Sequence, residues 1–249
     1  MQYLTMATQK TPALIIYLLD VSGSMGRDMG NKRRIEVVMD ALTVALRQMV
    51  FRSTKGGRMS PRYRIAMLAY SDHVYDLLGG IKSIEEVAKL GVPELSPQRS
   101  TVTAKAFLEA EKILLEELPG LQSCPAPLIC HMTDGEFTGE DPTPIVKRIM
   151  GMSVPDGNVL VENIFISDKI LKNPVQDLEN WPGISAETEL NSDYARKLRE
   201  LSSFIPESYR SVMVEFGYNL GDNARMIFPG NSAELVSLGF QMSAATPVR

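Results

Sequence analysis

The chain reads as an α/β protein built on a mostly parallel sheet, and two kinds of pattern predict this. Residues 14–19, 126–130 and 159–167 are short apolar runs, the mark of strands buried on both faces. Longer stretches between them repeat apolar residues at three- and four-residue steps, the period of a helix lying on a sheet. The 249 residues, 44% hydrophobic and 22% charged, are enough for one large core. We therefore expect a single domain over residues 1–249, with its core at about 13–244.

The first run ends abruptly in polar residues. Asp20, Ser22 and Ser24 alternate with Val21 and Gly23, which puts three hard oxygen donors on one side of a loop at the strand's carboxyl edge. Open α/β sheets hold their ligands at that edge. Carboxylate and hydroxyl oxygens suit Mg²⁺, Mn²⁺ or Ca²⁺ and not a metal that prefers thiolate. One carboxylate with two neutral hydroxyls leaves a divalent ion with surplus positive charge and open positions, and such a site attracts an anion. The plainer alternative is a serine-rich turn in which Ser or Asp only caps the next helix.

Two later segments bear on that choice. Ser100-Thr101-Val102-Thr103 opens a helical pattern, and His131-Met132-Thr133-Asp134-Gly135-Glu136 follows the second apolar run. Together with Asp20, Ser22 and Ser24 they resemble the von Willebrand factor A (VWA) family. Its metal-ion-dependent adhesion site (MIDAS) joins Asp-x-Ser-x-Ser, a Thr and a Thr-Asp-Gly turn. The resemblance spans residues 14–239 and implies a doubly wound, VWA- or Rossmann-like sheet with helices on both faces. It also implies a metal set of Asp20, Ser22, Ser24, Thr101 and Asp134. Thr103 competes with Thr101, since the loop reads Thr-x-Thr and only one normally reaches the metal. The implied cofactor is one divalent cation, Mg²⁺ before Mn²⁺ or Ca²⁺. Ser22, Ser24 and Thr101 would bind it directly, and Asp20 and Asp134 directly or through water. The implied function is metal-dependent protein recognition, in which the open position accepts a Glu or Asp from a partner protein.

The remaining elements follow in order. Residues 1–10 form a polar start or an edge strand. Ile35, Val38, Leu42, Leu46 and Met49 share one stripe, which predicts a helix over 31–52 packed on the sheet. Lys32, Arg33 and Arg34 then fall in its first turn, where cations are mildly unfavourable, and are expected to be solvated. Tyr63, Ile65, Met67 and Ala69 alternate as a strand, and 74–78 suit a short antiparallel edge strand beyond the Ser71-Asp72 turn. Ser83 and Glu86 have capping-box spacing at the head of a helix over 83–90. A Pro-containing loop, 92–100, delivers Thr101. The helix after it, to residue 118, buries Phe107, Ala110, Leu114 and Leu118, and Thr103 suits its N-cap, which favours Thr101 as the ligand. Asp134 sits just past a central strand over 128–132. Asp141 closes the acidic loop 135–141 as the cap of a helix starting at Pro142.

Strand 159–167 leads into a long connection or insertion, 168–190. It either belongs to a partner surface near the metal face or is a packed loop anchored by Trp181. A helix over 191–204, a less regular helical piece over 206–217, a short strand over 226–228 and a closing helix over 232–244 complete the chain. That closing order resembles bacterial intracellular VWA proteins, including those encoded with tellurium-resistance and protein-phosphatase operons.

Other features narrow the function. A net charge of −4 gives no global reason to expect nucleic acid. Residues 47–64 carry six basic side chains and no acid; we read them as a solvated helix end and loop, not a phosphate or nucleic-acid patch. His73 reads as a turn residue and His131 as a hydrogen-bonded core histidine. Cys124 and Cys130 read as buried free thiols, with a disulfide as the alternative. Asp28 mirrors half of a second metal site in integrin β relatives, but Arg27 beside it is no acid, so no second site is expected. No charged-then-apolar leader precedes Thr11 and no apolar run approaches ~18 residues, so we expect a cytoplasmic protein without membrane contact.

We expect no enzyme. Hydrolysis needs a base and an activated water or nucleophile besides a cation. A nucleophile elbow requires Gly where Ser22 stands, and no Gly-rich phosphate loop with Lys is present. Two readings compete with recognition: a VWA subunit working beside a MoxR- or chelatase-type AAA+ ATPase, and a metal-assisted phosphatase or hydrolase.

Overall fold

A mixed sheet of seven strands carries the molecule: β1 (Ala13–Asp20), β2 (Tyr63–Tyr70), β3 (Val74–Asp76), β4 (Lys82–Ser83), β5 (Leu128–Thr133), β6 (Leu160–Phe165) and β7 (Ile227–Pro229). The computed structural model describes residues 3–98, 102–137, 139–167 and 170–249. The spatial order is β7-β6-β5-β1-β2-β3, with β4 also on β2. From β7 to β2 the pairs are parallel, while β3 and β4 run antiparallel to β2. This is the mostly parallel, doubly wound α/β sheet that the apolar runs predict. From β1 the chain steps to β2 on one side and later to β5 on the other. The carboxyl ends of β1 and β5 therefore flank the topological switch point, where such sheets open a crevice.

Among the described residues seven α-helices cover the sheet: α1 (Arg34–Arg52), α2 (Ile84–Leu90), α3 (Thr103–Glu117), α4 (Thr143–Gly151), α5 (Asp193–Glu200), α6 (Glu207–Glu215) and α7 (Ala233–Ser243). β1 explains the two layers by its alternation. Ile15, Tyr17 and Leu19 face the core built with α1 and α7, whereas Leu14, Ile16 and Leu18 face Phe107 and Ala110 of α3 and Ile145 of α4. All eight residues of β1 are buried, and each fully buried aliphatic side chain contributes roughly 1.5–3 kcal/mol. α7 lies so close to the sheet that a Cβ on Gly239 would meet Ile164 Cγ1 at 2.8 Å; only glycine fits there without a shift.

Several boundaries differ from expectation, each for a local reason. α1 begins at Arg34, not residue 31, because Asp28–Met29 and Lys32–Arg33 pair as a small antiparallel ribbon around Gly30 (φ 62°). Val102, not Thr103, takes the N-cap position of α3, and Thr103 is its buried first helical residue. Asp141 does accept the Thr143 N–H at 2.9 Å, one turn position before the helix proper, and it also pairs with Lys197. α5 stops at Glu200, short of residue 204. The Ser203 N–H donates to Val161 O and its carbonyl accepts from Met226 N–H, so the chain there completes the sheet edge instead of the helix.

The basic stretch is not solvated throughout. Arg62 is buried and donates to the carbonyls of Arg52 and Arg249, and Arg64 pairs with Glu117. In the long connection, Asp168 and Lys169 lie outside the described residues. Leu171 and Leu190 form an antiparallel bridge, and Trp181 packs edge-on against Phe228 at 6.4 Å. Cys124 and Cys130 are free and buried. Among the described residues no helix is long and apolar enough to cross a membrane.

Candidate metal centre

Three oxygens meet above the switch point. β1 ends in Asp20, and the chain then enters a 3₁₀ turn, Gly23–Gly26, that lifts Ser22 and Ser24 over the strand end. β5 ends at Thr133 and leaves Asp134 facing them. Ser24 Oγ donates to Asp134 Oδ1 at 2.6 Å, Ser22 Oγ and Ser24 Oγ lie 3.0 Å apart, and Ser22 Oγ reaches Asp134 Oδ1 at 3.5 Å. An octahedral Mg²⁺ with bonds of ~2.1 Å requires neighbouring oxygens ~3.0 Å apart. The triangle Ser22–Ser24–Asp134 has the dimensions of one face of that octahedron, and its all-oxygen donor set suits a hard cation.

Asp20 lies beneath this face. Its Oδ1 accepts the Ser22 N–H at 2.8 Å and its Oδ2 accepts the Thr133 hydroxyl at 2.7 Å. Burial pushes its carboxyl above the usual range, opposed by the Ser22 and Thr133 hydrogen bonds and aided by the nearby charge of Asp134. A cation above it would favour the ionised form. Among the described residues no three His, Cys, Asp or Glu side chains cluster as a metal site; the candidate centre draws on two serine hydroxyls besides its carboxylates.

Thr101, the remaining member of the expected set, lies outside the described residues. The described residues that flank this stretch, Gln98 and Val102, are fixed by backbone hydrogen bonds to the ends of β1 and β2. Gln98 N–H donates to Val21 O at 2.6 Å, and Val102 N–H donates to Ser71 O at 2.7 Å. A Cβ on Gly23 would meet Gln98 O at 3.0 Å, so glycine permits this close approach of the two loops. Thr103, the competing choice, is the first helical residue of α3, and its Oγ1 is buried without a hydrogen-bond partner among the described residues.

The structure adds residues that sequence patterns missed. Arg34, expected in solvent, turns inward, and its Nη1 donates to Asp134 Oδ2 at 2.8 Å. The two side chains are 16% and 0% exposed, so this is a charge-assisted contact in a largely dry setting. A signal was available: three successive cations at a helix N-terminus oppose the helix dipole, and two of them prove to have carboxylate partners, Lys32 with Asp40 and Arg34 with Asp134. Thr133, which the Thr-Asp-Gly turn named without a role, orients Asp20. Tyr194 of α5 is held edge-on by Phe137 (4.8 Å) and Phe165 (5.1 Å), and its buried hydroxyl has no partner among the described residues. Burial raises its pKa well above that of a free tyrosine, and the charges of Asp20 and Glu136 add to the effect.

Below the carboxylates the polar groups are satisfied. Tyr70 Oη and His131 Nε2 are 2.7 Å apart, His131 Nδ1 lies 2.7 Å from Asn163 Oδ1, and Asn163 Nδ2 donates to Ser202 Oγ at 2.8 Å. Because Asn163 Oδ1 only accepts, the network assigns a proton to His131 Nδ1 and leaves Nε2 to accept from Tyr70. Burial lowers the His131 pKa to about 4, opposed by the hydrogen bond that its Nδ1–H donates to Asn163. His131 is thus a neutral strut, as its position in a strand suggests.

A cleft of about 480 Å³ adjoins the metal face, lined by Glu136, Phe137, Asp141 and Tyr194 among others. A larger one of about 900 Å³ lies at the opposite end of the sheet, around Leu160 and Phe204, far from the oxygen cluster.

No family model matches the sequence, and no curated protein matches it. Among solved structures the fold is similar to the pilus adhesin SpaC from Lactobacillus rhamnosus GG, with a TM-score of 0.57 and 12% identity over 94% of this chain and 30% of that one. It is also similar to proximal thread matrix protein 1 from the mussel byssus, with a TM-score of 0.54 and 16% identity over 95% of this chain and 48% of that one. A mutant of the PilB minor pilin from Streptococcus sanguinis gives a TM-score of 0.53 and 11% identity over 92% and 60% of the two chains. This chain therefore spans less than two thirds of the length of each of these proteins. The likeness is one of fold: a mostly parallel α/β domain whose chemistry must be argued from its own residues.

Proposed function

We propose that the protein is a divalent-metal-dependent protein-recognition module that takes a Glu or Asp of a partner at a MIDAS-like centre. The observation carrying this reading is the triangle of Ser22 Oγ, Ser24 Oγ and Asp134 Oδ1, with edges of 2.6, 3.0 and 3.5 Å. Those residues, with Thr101, would hold the cation, and Asp20 would support it directly or through water. The cation, when bound, supplies an open coordination position for a carboxylate. The protein's own groups do the rest. Thr133 and the Ser22 N–H fix Asp20, the 3₁₀ turn aims both hydroxyls the same way, and Gln98 clamps the second loop against the first. Mg²⁺ is the cation this shell suits first, since hydroxyls and carboxylates at octahedral spacing favour a small hard ion.

Two free, buried thiols fit a reducing, cytoplasmic setting. The narrower kinship with bacterial tellurium-resistance-type proteins rests on the closing order α6, β7, α7. Binding, not catalysis, is the reading we favour, because the serine and aspartate oxygens of the face are cation ligands and hydrolysis would need a base and an activated nucleophile besides.

The test is capture of partner protein in Mg²⁺ and in EDTA, using wild type and Asp20→Ala. Capture that requires Mg²⁺ and is lost in the variant is expected. Equal capture in EDTA would refute metal dependence. A partner identified as an AAA+ ATPase would select the ATPase-subunit reading, and phosphatase turnover that scales with Mg²⁺ and vanishes in the variant would replace recognition with catalysis.

A further inference from the structure

Arg34 changes the electrostatics of the proposed centre. Asp20 and Asp134 bring two negative charges, so a divalent cation on their hydroxyl face would leave the site neutral, and a neutral site has little hold on a carboxylate. Arg34 adds one positive charge at 2.8 Å from Asp134 Oδ2, in a setting where its side chain is 16% exposed and its partner's is not exposed at all. The guanidinium has five N–H donors, and the single bond to Asp134 is its one hydrogen bond among the described residues. The guanidinium also borders a small cleft of about 140 Å³ beside the centre, with Asp28 and Asn231 on its walls. Asn231 Oδ1 is buried there without a partner.

We propose that Arg34 is the specificity-determining residue of this centre, keeping the metal-loaded site net positive so that it selects a carboxylate, while weakening the site's hold on the cation itself. The proposal rests on the metal-binding reading above. Its two consequences have opposite signs. Removing the positive charge strengthens cation binding, because a repulsive neighbour is gone and Asp134 keeps its full charge. The same change weakens anion binding to the loaded protein. A purely structural Arg34, one that merely orients Asp134, predicts the reverse for the cation: loss of the arginine loosens the ligand and weakens metal binding.

The experiment uses Mn²⁺ as the cation, followed by electron paramagnetic resonance, and acetate as the anion, followed by water-proton relaxation of the Mn²⁺-loaded protein. Wild type is compared with Arg34→Gln and Arg34→Lys, whose folds are checked by circular dichroism. Arg34→Gln is expected to bind Mn²⁺ at least about tenfold more tightly and acetate at least about tenfold more weakly. Arg34→Lys, which keeps the charge, is expected to stay near wild type in both. Mn²⁺ binding by Arg34→Gln that is unchanged or weaker, or acetate binding that is unchanged, overturns the proposal while wild-type Mn²⁺ binding keeps the metal reading intact. Failure of both wild type and Arg34→Gln to bind Mn²⁺ overturns the metal reading and this proposal with it. Mn²⁺ binding by Arg34→Gln alone also overturns the proposal, because a wild-type centre that holds no cation can select no carboxylate.

Discussion

Two buried carboxyl groups on neighbouring parallel strands meet opposite fates. Asp134 stands just past the end of β5, where it receives the Ser24 hydroxyl and the Arg34 guanidinium. Glu162 stands in the middle of β6, paired across the sheet with Cys130, and both its oxygens are buried without a hydrogen bond among the described residues. Burial pushes its carboxyl far above the usual range. The difference is one of position along the strand. Mid-strand, every backbone donor is committed to the ladder, so an acid finds no N–H and is held neutral. At the strand end the backbone turns away and loops bring hydroxyls and a cation. On these two strands charge is kept at the carboxyl edge, and the oxygen cluster lies there.

The largest expected effect tests the charged end of this contrast. Asp134→Asn halves the charge of the centre, and Mg²⁺ affinity should fall at least about a hundredfold in calorimetry. An unchanged affinity would mean that Asp134 serves only Arg34.

Next comes the layer beneath. With its folded pKa lowered from 6.5 to about 4, His131 resists protonation in the fold. The stability it supports is present above about pH 6.5 and is lost as pH falls toward 4, by about 3 kcal/mol in all. Denaturant titrations at pH 7 and pH 4.5 should show this loss in wild type and a smaller one in His131→Gln.

Glu162 gives the smallest effect and the opposite slope. Its folded pKa is raised, so its contribution is greatest below the unfolded pKa of about 4.5 and declines as pH rises. Glu162→Met removes two unpartnered acceptors at similar volume. It should stabilise the protein at pH 8 by about 1–3 kcal/mol and flatten the alkaline decline. A destabilised variant would show that Glu162 is held by something more than packing.

Much of the architecture was legible because unbroken apolar runs and helical stripes report burial directly. β1, β2, β5 and the stripes of α1 and α3 follow from such patterns. Ends were less legible: α1 yields residues 31–33 to a ribbon, and α5 yields residues 201–204 to the sheet edge, since tertiary hydrogen bonds there outweigh local propensity. Asp20, Ser22, Ser24 and Asp134 could be grouped because their motifs and spacing resemble a known metal site, and the strand ends at the switch point do bring Ser22, Ser24 and Asp134 together. Arg34 could not, because a side chain reaching 100 residues along the chain to Asp134 leaves no periodic trace. Tyr194 arrives from α5 after a long connection whose path no local pattern fixes. Glu162 was passed over as one polar residue inside an apolar run, though an acid in the middle of a buried strand is a signal in itself.

The most direct measurement is calorimetric titration of the metal-free protein with Mg²⁺, in wild type and in Ser24→Ala. The hydroxyl face predicts a single saturable site in wild type and a marked loss of affinity when one of its three oxygens is removed. Absence of Mg²⁺ binding by the wild-type protein, or binding unaffected by loss of the Ser24 hydroxyl, would contradict the account.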